Sequence, residues 1–464
     1  MTEGQDTSEA EKRLEATAVA VLRHNDLGGW TKAAPRLYPH QWSWDSAFIA
    51  IGLAHLDTRR AAQELRALFA AQWSTGMLPH IVFNPDVPPG AYFPDAMFWD
   101  SKGLSGAAPQ HVQTSGLCQP PVHAIAIKRL WEIARMRDDV TTADARLFLR
   151  ESYPRLFAWH RYLMTRRDPE QSGLISIYHP WESGMDNSPR WDDALTSVTV
   201  GDIPAYTRRD LAHVTDPAER PSQTEYDRYI WLVHRLKQAR YDEAVVDRSH
   251  PFVVKDIFFS AVLIAANEML REIAALVDAP DSEQAVIADW IERGHRGVTA
   301  QWNTGLALCL DYDIRAGQPI PVRTVAGFAP LIAGHVAADR LRSLLATLDS
   351  DAFCGHPQLR WRVPPSTSPT ETAFRSRRYW RGPTWPVITW LLWWALRRID
   401  QQECAGELRR AALDQLCAVG CAEYVEPFTG EPLGSSDQSW TAAVALDWVR
   451  QTSDVNVLSE QLPR

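Results

Sequence analysis

The 464-residue sequence predicts an all-α protein, an (α/α)6 barrel (toroid) with long loops at one end forming the active site. Three observations predict it. About a dozen segments carry apolar residues at helical spacing, whereas strand signals are few and short. No repeat of roughly 30–50 residues is visible, which argues against a solenoid. Long irregular loops alternate with helix pairs, and these loops are too rich in Trp, Tyr and Phe for disorder. No low-complexity linker interrupts the chain, so residues 1–464 read as one domain, with residues 1–8 a mobile start.

Taken in order, helices are predicted over 7–23, 46–56 and 58–73, with Thr58 as the N-cap of the third. The segment 120–137 places Val122, Ile125, Ile127, Leu130, Trp131 and Ala134 on one helical face. Further helices are predicted over 141–166, 222–240, 253–277, 282–304, 324–333, 337–345, 383–399, 403–424 and 438–450. Gly334 is a natural stop for the 324–333 helix, and Pro383 suits a first helical turn. Strands are expected at 77–83, 173–178 and 307–312.

Composition narrows the function. No apolar run reaches the roughly 20 residues that a membrane span needs. The first 13 residues are polar and acidic, unlike a signal peptide, so a cytoplasmic protein is expected. A formal charge of −9 argues against nucleic acid as a partner. The six cysteines have no metal-ligand spacing and read as free thiols, so neither metal nor cofactor is expected. Homo-oligomerisation is left open. The outlier is tryptophan: 20 residues, many beside Gly, Pro, Asp or Glu in loops. Sugar-binding clefts concentrate Trp in this way, because an indole covers the C–H face of a pyranose while polar neighbours bond its hydroxyls.

The loops carry the chemistry. The first holds Tyr38-Pro-His-Gln-Trp42-Ser-Trp44-Asp45, where Asp45 either caps the next helix or accepts bonds from sugar hydroxyls. The segment 84–116 is punctuated by Gly and Pro and carries Tyr92, Phe93, Phe98 and Trp99; it reads as a lid. Gln119 follows it at a helix start. A third loop places Glu182 and Asp186 beside Trp and Gly, an environment that raises a carboxyl pKa and fits it to be an acid. The last loop offers Glu423, at a helix end, with Glu426 and Glu431 in the following turn. The residues alone leave open which of these is the partner base. Two carboxylates from distant loops, walled by aromatics, point to glycoside hydrolysis. Lyase or epimerase chemistry would draw on His40, His80, His179 or His356, which no spacing singles out.

Four blocks then carry a resemblance. Trp181-Glu-Ser-Gly-Met-Asp186-Asn-Ser-Pro-Arg-Trp-Asp192 resembles the acid motif of glycoside hydrolase family 63 and its (α/α)6-barrel relatives. Arg378-Tyr379-Trp380-Arg381-Gly382-Pro383-Thr384-Trp385-Pro386 resembles a second block of that family. Glu423-Tyr424-Val425-Glu426-Pro427, with Gly430-Glu431-Pro432, resembles its base motif, although Val425 stands where the family more often has an aromatic residue. Gln438-Ser439-Trp440-Thr441 resembles its closing helix. The compact length matches the family's bacterial branch, which hydrolyses glucosylglycerate and mannosylglycerate. The resemblance implies an inverting exo-glycosidase acting on glucosylglycerate, a small anionic glycoside, with Asp186 as general acid and Glu423 as general base. It implies a sugar pocket of Trp42, Asp45, Trp385 and Gln438, and a glycerate pocket of Tyr38, Gln119, Trp181, Arg220, Tyr379 and Trp380. Arg220 suits a carboxylate, which a guanidinium binds through two parallel hydrogen bonds. Mannosylglycerate hydrolysis, a trehalase- or glucoamylase-like activity, or a non-catalytic sugar-binding protein are the alternatives.

Overall fold

The computed structural model describes residues 3–214 and 216–460. Twelve helices form two concentric rings: α1 (Glu3–Asn25), α2 (Ser43–Ala54), α3 (Thr58–Ala70), α4 (His123–Ala134), α5 (Asp139–Arg166), α6 (Ile257–Leu276), α7 (Asp281–Ala300), α8 (Ala329–Ala333), α9 (Ala338–Leu348), α10 (Pro386–Arg398), α11 (Gln402–Val419) and α12 (Ser439–Glu460). The even-numbered helices pack in sequence, α2 on α4, α4 on α6, α6 on α8, α8 on α10 and α10 on α12, and α12 closes the ring against α2. Odd-numbered helices brace them from outside: α1 lies on α12, α3 on α2, α5 on α4, α7 on α6 and α11 on α10. Every residue of α2 is buried, which explains why its apolar residues show no face preference. The seam of the ring is close. A Cβ at Gly52 of α2 would collide with the backbone of Ala443 in α12.

One carboxylate ties four inner helices together. Asp447 of α12 accepts Arg129 Nη2 (α4) at 2.9 Å and Trp390 Nε1 (α10) at 2.9 Å. His55, at the end of α2, lies 2.7 Å from the same group. Asp447 is fully buried, so it is held by partners and not by solvent.

The connections are of two kinds. Each inner helix leads to the next outer helix by a short turn, as from Ala54 to Thr58 or Arg398 to Gln402. Each outer helix returns to the next inner one by a long loop, such as that between α3 and α4 or between α5 and α6. All long loops therefore gather at the N-terminal ends of the inner helices. Within them lie a further helix, Gln223–Gln238, and a small antiparallel sheet in the order 175–177, 254–256, 311–313, 318–320.

Several boundaries differ from the sequence reading. The cap of α3 is Asp57, whose carboxylate accepts two N–H groups at the helix start, and Thr58 is the first helical residue. The first residues of the 253–277 segment form a strand, Val254–Asp256, because they pair with 175–177 and 311–313, and Asp256 then caps α6. Pro386, not Pro383, occupies the first turn of α10. Helix α11 stops at Val419, so Glu423 lies beyond it, just before the strand Tyr424–Val425. Gly334 ends α8 with φ of 91°, as expected. Of the expected mobile start, residues 1–2 lie outside the described residues and residues 3–8 open α1.

Asp447 yields a stability prediction. Its partners outweigh the cost of burial and hold its carboxyl below the usual range. The stabilisation is therefore complete above the ordinary carboxylate range and is lost as pH falls toward the depressed folded value. Asp447→Ala should cost about 3–5 kcal/mol at pH 7. In urea denaturation the gap between wild type and variant should narrow between pH 5 and pH 3.

Candidate active site

A cleft opens at the loop-bearing end of the barrel, with a volume of about 1050 Å³ including its mouth. Tyr38, Trp42, Asp45, Gln119, Trp181, Asp186, Arg220, Tyr379, Trp380, Glu423 and Gln438 all line it. Residues spread over some 400 positions of sequence thus meet in one place, because each precedes an inner helix, lies in its first turn or belongs to the loop between α5 and α6.

The Asp186 loop is fixed from both sides. Tyr229 of the 223–238 helix donates to the Asp186 carbonyl at 3.0 Å. Asn187 accepts the Trp380 N–H at 3.0 Å, which joins this loop to the 379–381 turn. Arg190 is buried between Asp311, 2.9 Å away, and Asp256, 3.3 Å away. Gly184 has φ of 71°, and any side chain there would strike the Trp44 ring. Burial pushes the Asp186 carboxyl up to about 7; the nearby Glu423 charge adds to this and Arg220 opposes it. Near neutral pH, Asp186 can hold a proton.

Glu423 is held differently. Its Oε1 accepts the Tyr38 hydroxyl at 2.7 Å and its Oε2 accepts the Ser435 N–H at 2.9 Å. Gly434, with φ of 72°, makes room for this carboxylate; a Cβ there would collide with Oε2. Burial raises the Glu423 carboxyl, while Arg220 and both hydrogen bonds favour its ionised form. Asp45 is a further carboxyl of the cleft. Burial raises it well above the usual range, and Glu423 and Asp186 add repulsion.

The other candidate carboxylates are structural. Glu426 accepts the Phe428 N–H at 2.8 Å and the Thr429 hydroxyl at 2.9 Å, so it caps its own turn and does not reach the cleft. Glu431 pairs with Arg377 on the exposed surface. Glu182 is fully buried against Arg167 at 2.7 Å; burial alone would raise it, but the guanidinium prevails and holds it low.

Arg220 lies 4.1 Å over the Tyr379 ring and donates to the Tyr38 hydroxyl at 3.2 Å. Tyr379 itself takes a φ of 39°, an uncommon backbone state for a bulky residue that aims its ring at Arg220. Gln438 Oε1 is buried without a hydrogen-bond partner. Gln119 Oε1 accepts the Trp44 N–H at 3.4 Å. Trp385 is the expected sugar-pocket residue that the structure does not bring to the cleft. It stacks behind Trp380, ring centres 3.7 Å apart and planes 4° apart, so it supports the wall without forming its surface.

Other lining residues were not among those expected to hold the sugar or the glycerate. Tyr92 and Phe93 come from the 84–116 segment, Asp210 and Tyr226 from the loop and helix before α6. Phe93 stacks on Tyr206 at 5.1 Å, and Tyr226 donates to the Phe93 carbonyl at 3.3 Å. Aromatic content marked the first of these loops; no local pattern marked Asp210. Of the four histidines considered, only His80 lines the cleft. Burial pushes it down to about 3, and Ser115 Oγ lies 2.5 Å from its Nδ1, so it is a neutral wall residue. No cluster of His, Cys, Asp or Glu able to hold a metal occurs among the described residues.

The chain is similar to known proteins. The model of the mannosylglycerate hydrolase MGH1-like glycoside hydrolase domain matches residues 38–441. The glucosylglycerate hydrolase of Mycolicibacterium hassiacum is 47% identical over 96% of this chain and 99% of its own. The crystal structure of a family 63 mannosylglycerate hydrolase from Thermus thermophilus, in complex with Tris and D-glycerate, is 41% identical, with a TM-score of 0.86 over 94% of this chain and 100% of its own. The same enzyme in complex with glucose gives 40% identity and a TM-score of 0.82 over the same coverage. The family resemblance and the toroidal fold read from the sequence both hold.

The geometry separates structural from chemical carboxylates in a way that melting can check. Glu426→Gln should lower stability by about 1–3 kcal/mol, because a charged acceptor of several donors is lost. Glu423→Gln should leave the melting temperature unchanged or raise it, since burying that charge costs stability.

Proposed function

Because the chain belongs to the MGH1-like mannosylglycerate hydrolase family of glycoside hydrolases, we propose that it hydrolyses glucosylglycerate to glucose and glycerate with inversion at the anomeric carbon. The observation that carries this reading is the buried Arg220 in a cleft with two buried carboxyls, Asp186 and Glu423, of which Glu423 sits in hydrogen bonds that favour its ionised form. A neutral disaccharide has no use for a guanidinium there, and an anionic aglycone does.

In this reading Asp186, whose carboxyl sits at about 7, protonates the glycosidic oxygen as the bond breaks. Glu423, whose ionised form Tyr38 and Ser435 favour, takes a proton from the water that attacks the opposite face. Asp45 and the unpartnered Oε1 of Gln438 accept sugar hydroxyls, against the indole of Trp42. Arg220 receives the glycerate carboxylate, with Tyr38, Gln119, Trp181, Tyr379 and Trp380 around it. The 84–116 segment acts as the lid, since Ala91 to Pro94 already form part of the wall. We place the enzyme in the cytoplasm: all six cysteines are free, and no helix among the described residues is long and apolar enough to cross a membrane.

Proton NMR of glucosylglycerate with the enzyme, beside mannosylglycerate, trehalose and maltose, should show β-glucose released first and from glucosylglycerate alone. Faster turnover of mannosylglycerate would reassign the sugar; turnover of trehalose or maltose would remove the glycerate pocket. Asp186→Asn and Glu423→Gln should each lower kcat by about 10²–10⁴-fold. Arg220→Ala should act chiefly on KM, raising it by about 10–100-fold; an unchanged KM would exclude Arg220 from the aglycone site.

A further inference from the structure

Arg220 does more in the cleft than offer a charge to an anion. Its Nη1 donates to the Tyr38 hydroxyl at 3.2 Å, and that hydroxyl donates to Glu423 Oε1 at 2.7 Å. The guanidinium thus touches the base through one intervening oxygen. Its field also acts on Asp186. Its other neighbours compensate its charge only in part: Asp210 Oδ2 is 3.5 Å from Nε and is shared with Arg208 at 2.6 Å.

We propose that the substrate's own carboxylate readies the acid/base pair: by pairing with Arg220 it withdraws the guanidinium's charge, and its hydrogen bond to Tyr38, from Glu423 and Asp186. This rests on the reading of Arg220 as the glycerate receptor and goes beyond it. The direction follows from the charges. A nearby cation stabilises the ionised form of a carboxyl, so neutralising it makes both carboxyls bind a proton more tightly. For Asp186 that keeps the acid protonated at neutral pH; for Glu423 it makes a stronger base. The groups facing the pair belong to several elements: Tyr38 and Asp45 before and within α2, Tyr379, Tyr424, and, beside Asp186, Tyr92 and Tyr229. Burial keeps all these tyrosines neutral, and the remaining carboxyls are Asp45 and, behind Arg220, Asp210. Arg220 is therefore the group through which an incoming anion reaches both members. Tyr38 acts as a positioning residue that couples the two ends of the cleft.

Calorimetry with D-glycerate tests this without turnover. Binding is measured at pH 7 in two buffers of different ionisation enthalpy, neither of them Tris. A carboxyl at about 7 that rises by about one unit takes up roughly 0.4 proton per ligand bound. Uptake of that order with D-glycerate, and none with glycerol, is expected. Binding without uptake, or with proton release, would overturn the inference while leaving the glycerate pocket intact. Absence of D-glycerate binding would overturn the pocket and the inference together. Tyr38→Phe gives a second arm on turnover. The acid limb of kcat/KM, set by Glu423, should move to higher pH, and the alkaline limb, set by Asp186, should stay. A loss of amplitude with both limbs fixed would reduce Tyr38 to a packing residue and overturn its coupling role.

Discussion

The barrel is organised around one buried charge. Asp447 lies where four inner helices converge, and each contributes a group that the carboxylate needs: the imidazole at the end of α2, the guanidinium from α4, the indole from α10 and the acid itself from α12. Apolar burial holds the rings together but is indifferent to small rotations of a helix about its axis. A desolvated carboxylate is not indifferent, because any rotation that breaks a bond leaves a charge without a partner. The angular setting of the inner helices is therefore set by polar geometry. That setting decides where the loops at their N-terminal ends are delivered.

The division of connections follows from this frame. Short turns hold the closed end, and long loops are free to reach across the open one. The cleft is assembled from side chains that share no neighbourhood in sequence but share an end of the barrel. Its chemistry is a contrast between two carboxyls. Asp186 meets burial with few hydrogen-bond donors; Glu423 meets burial with two. Burial raises both; Tyr38 and Ser435 temper the rise at Glu423, and Arg220 is the opposing charge common to the two.

The helical period and the alternation of helix pairs with aromatic loops made the fold class legible. What escaped was local. The segment before α6 reads as helix, and only its pairing with the 175–177 and 311–313 segments makes Val254–Asp256 a strand. Glu423 and Glu426 flank the same turn in similar company, so the residues could not rank them. Their separation lies in which donors each oxygen meets, and the approach of Tyr38 from the other end of the chain supplies that. Trp385 illustrates the same limit. Sequence shows an aromatic block, but which of two stacked indoles faces the cleft is a matter of three-dimensional order. Asp210 had no signal at all: Arg208 and Arg220 are its neighbours in the same loop, an ordinary mix of charges in sequence, and only the fold turns that loop toward the cleft.

The parallel pair formed by Trp380 and Trp385 has an optical consequence. Two indoles with planes 4° apart and centres 3.7 Å apart have strongly interacting transition dipoles. One of them faces the cleft and the other is locked in the core. Such a pair gives the molecule a built-in chromophore whose near-ultraviolet ellipticity depends on their relative orientation. Among 20 tryptophans, this pair would report on what enters the cleft, with no label added.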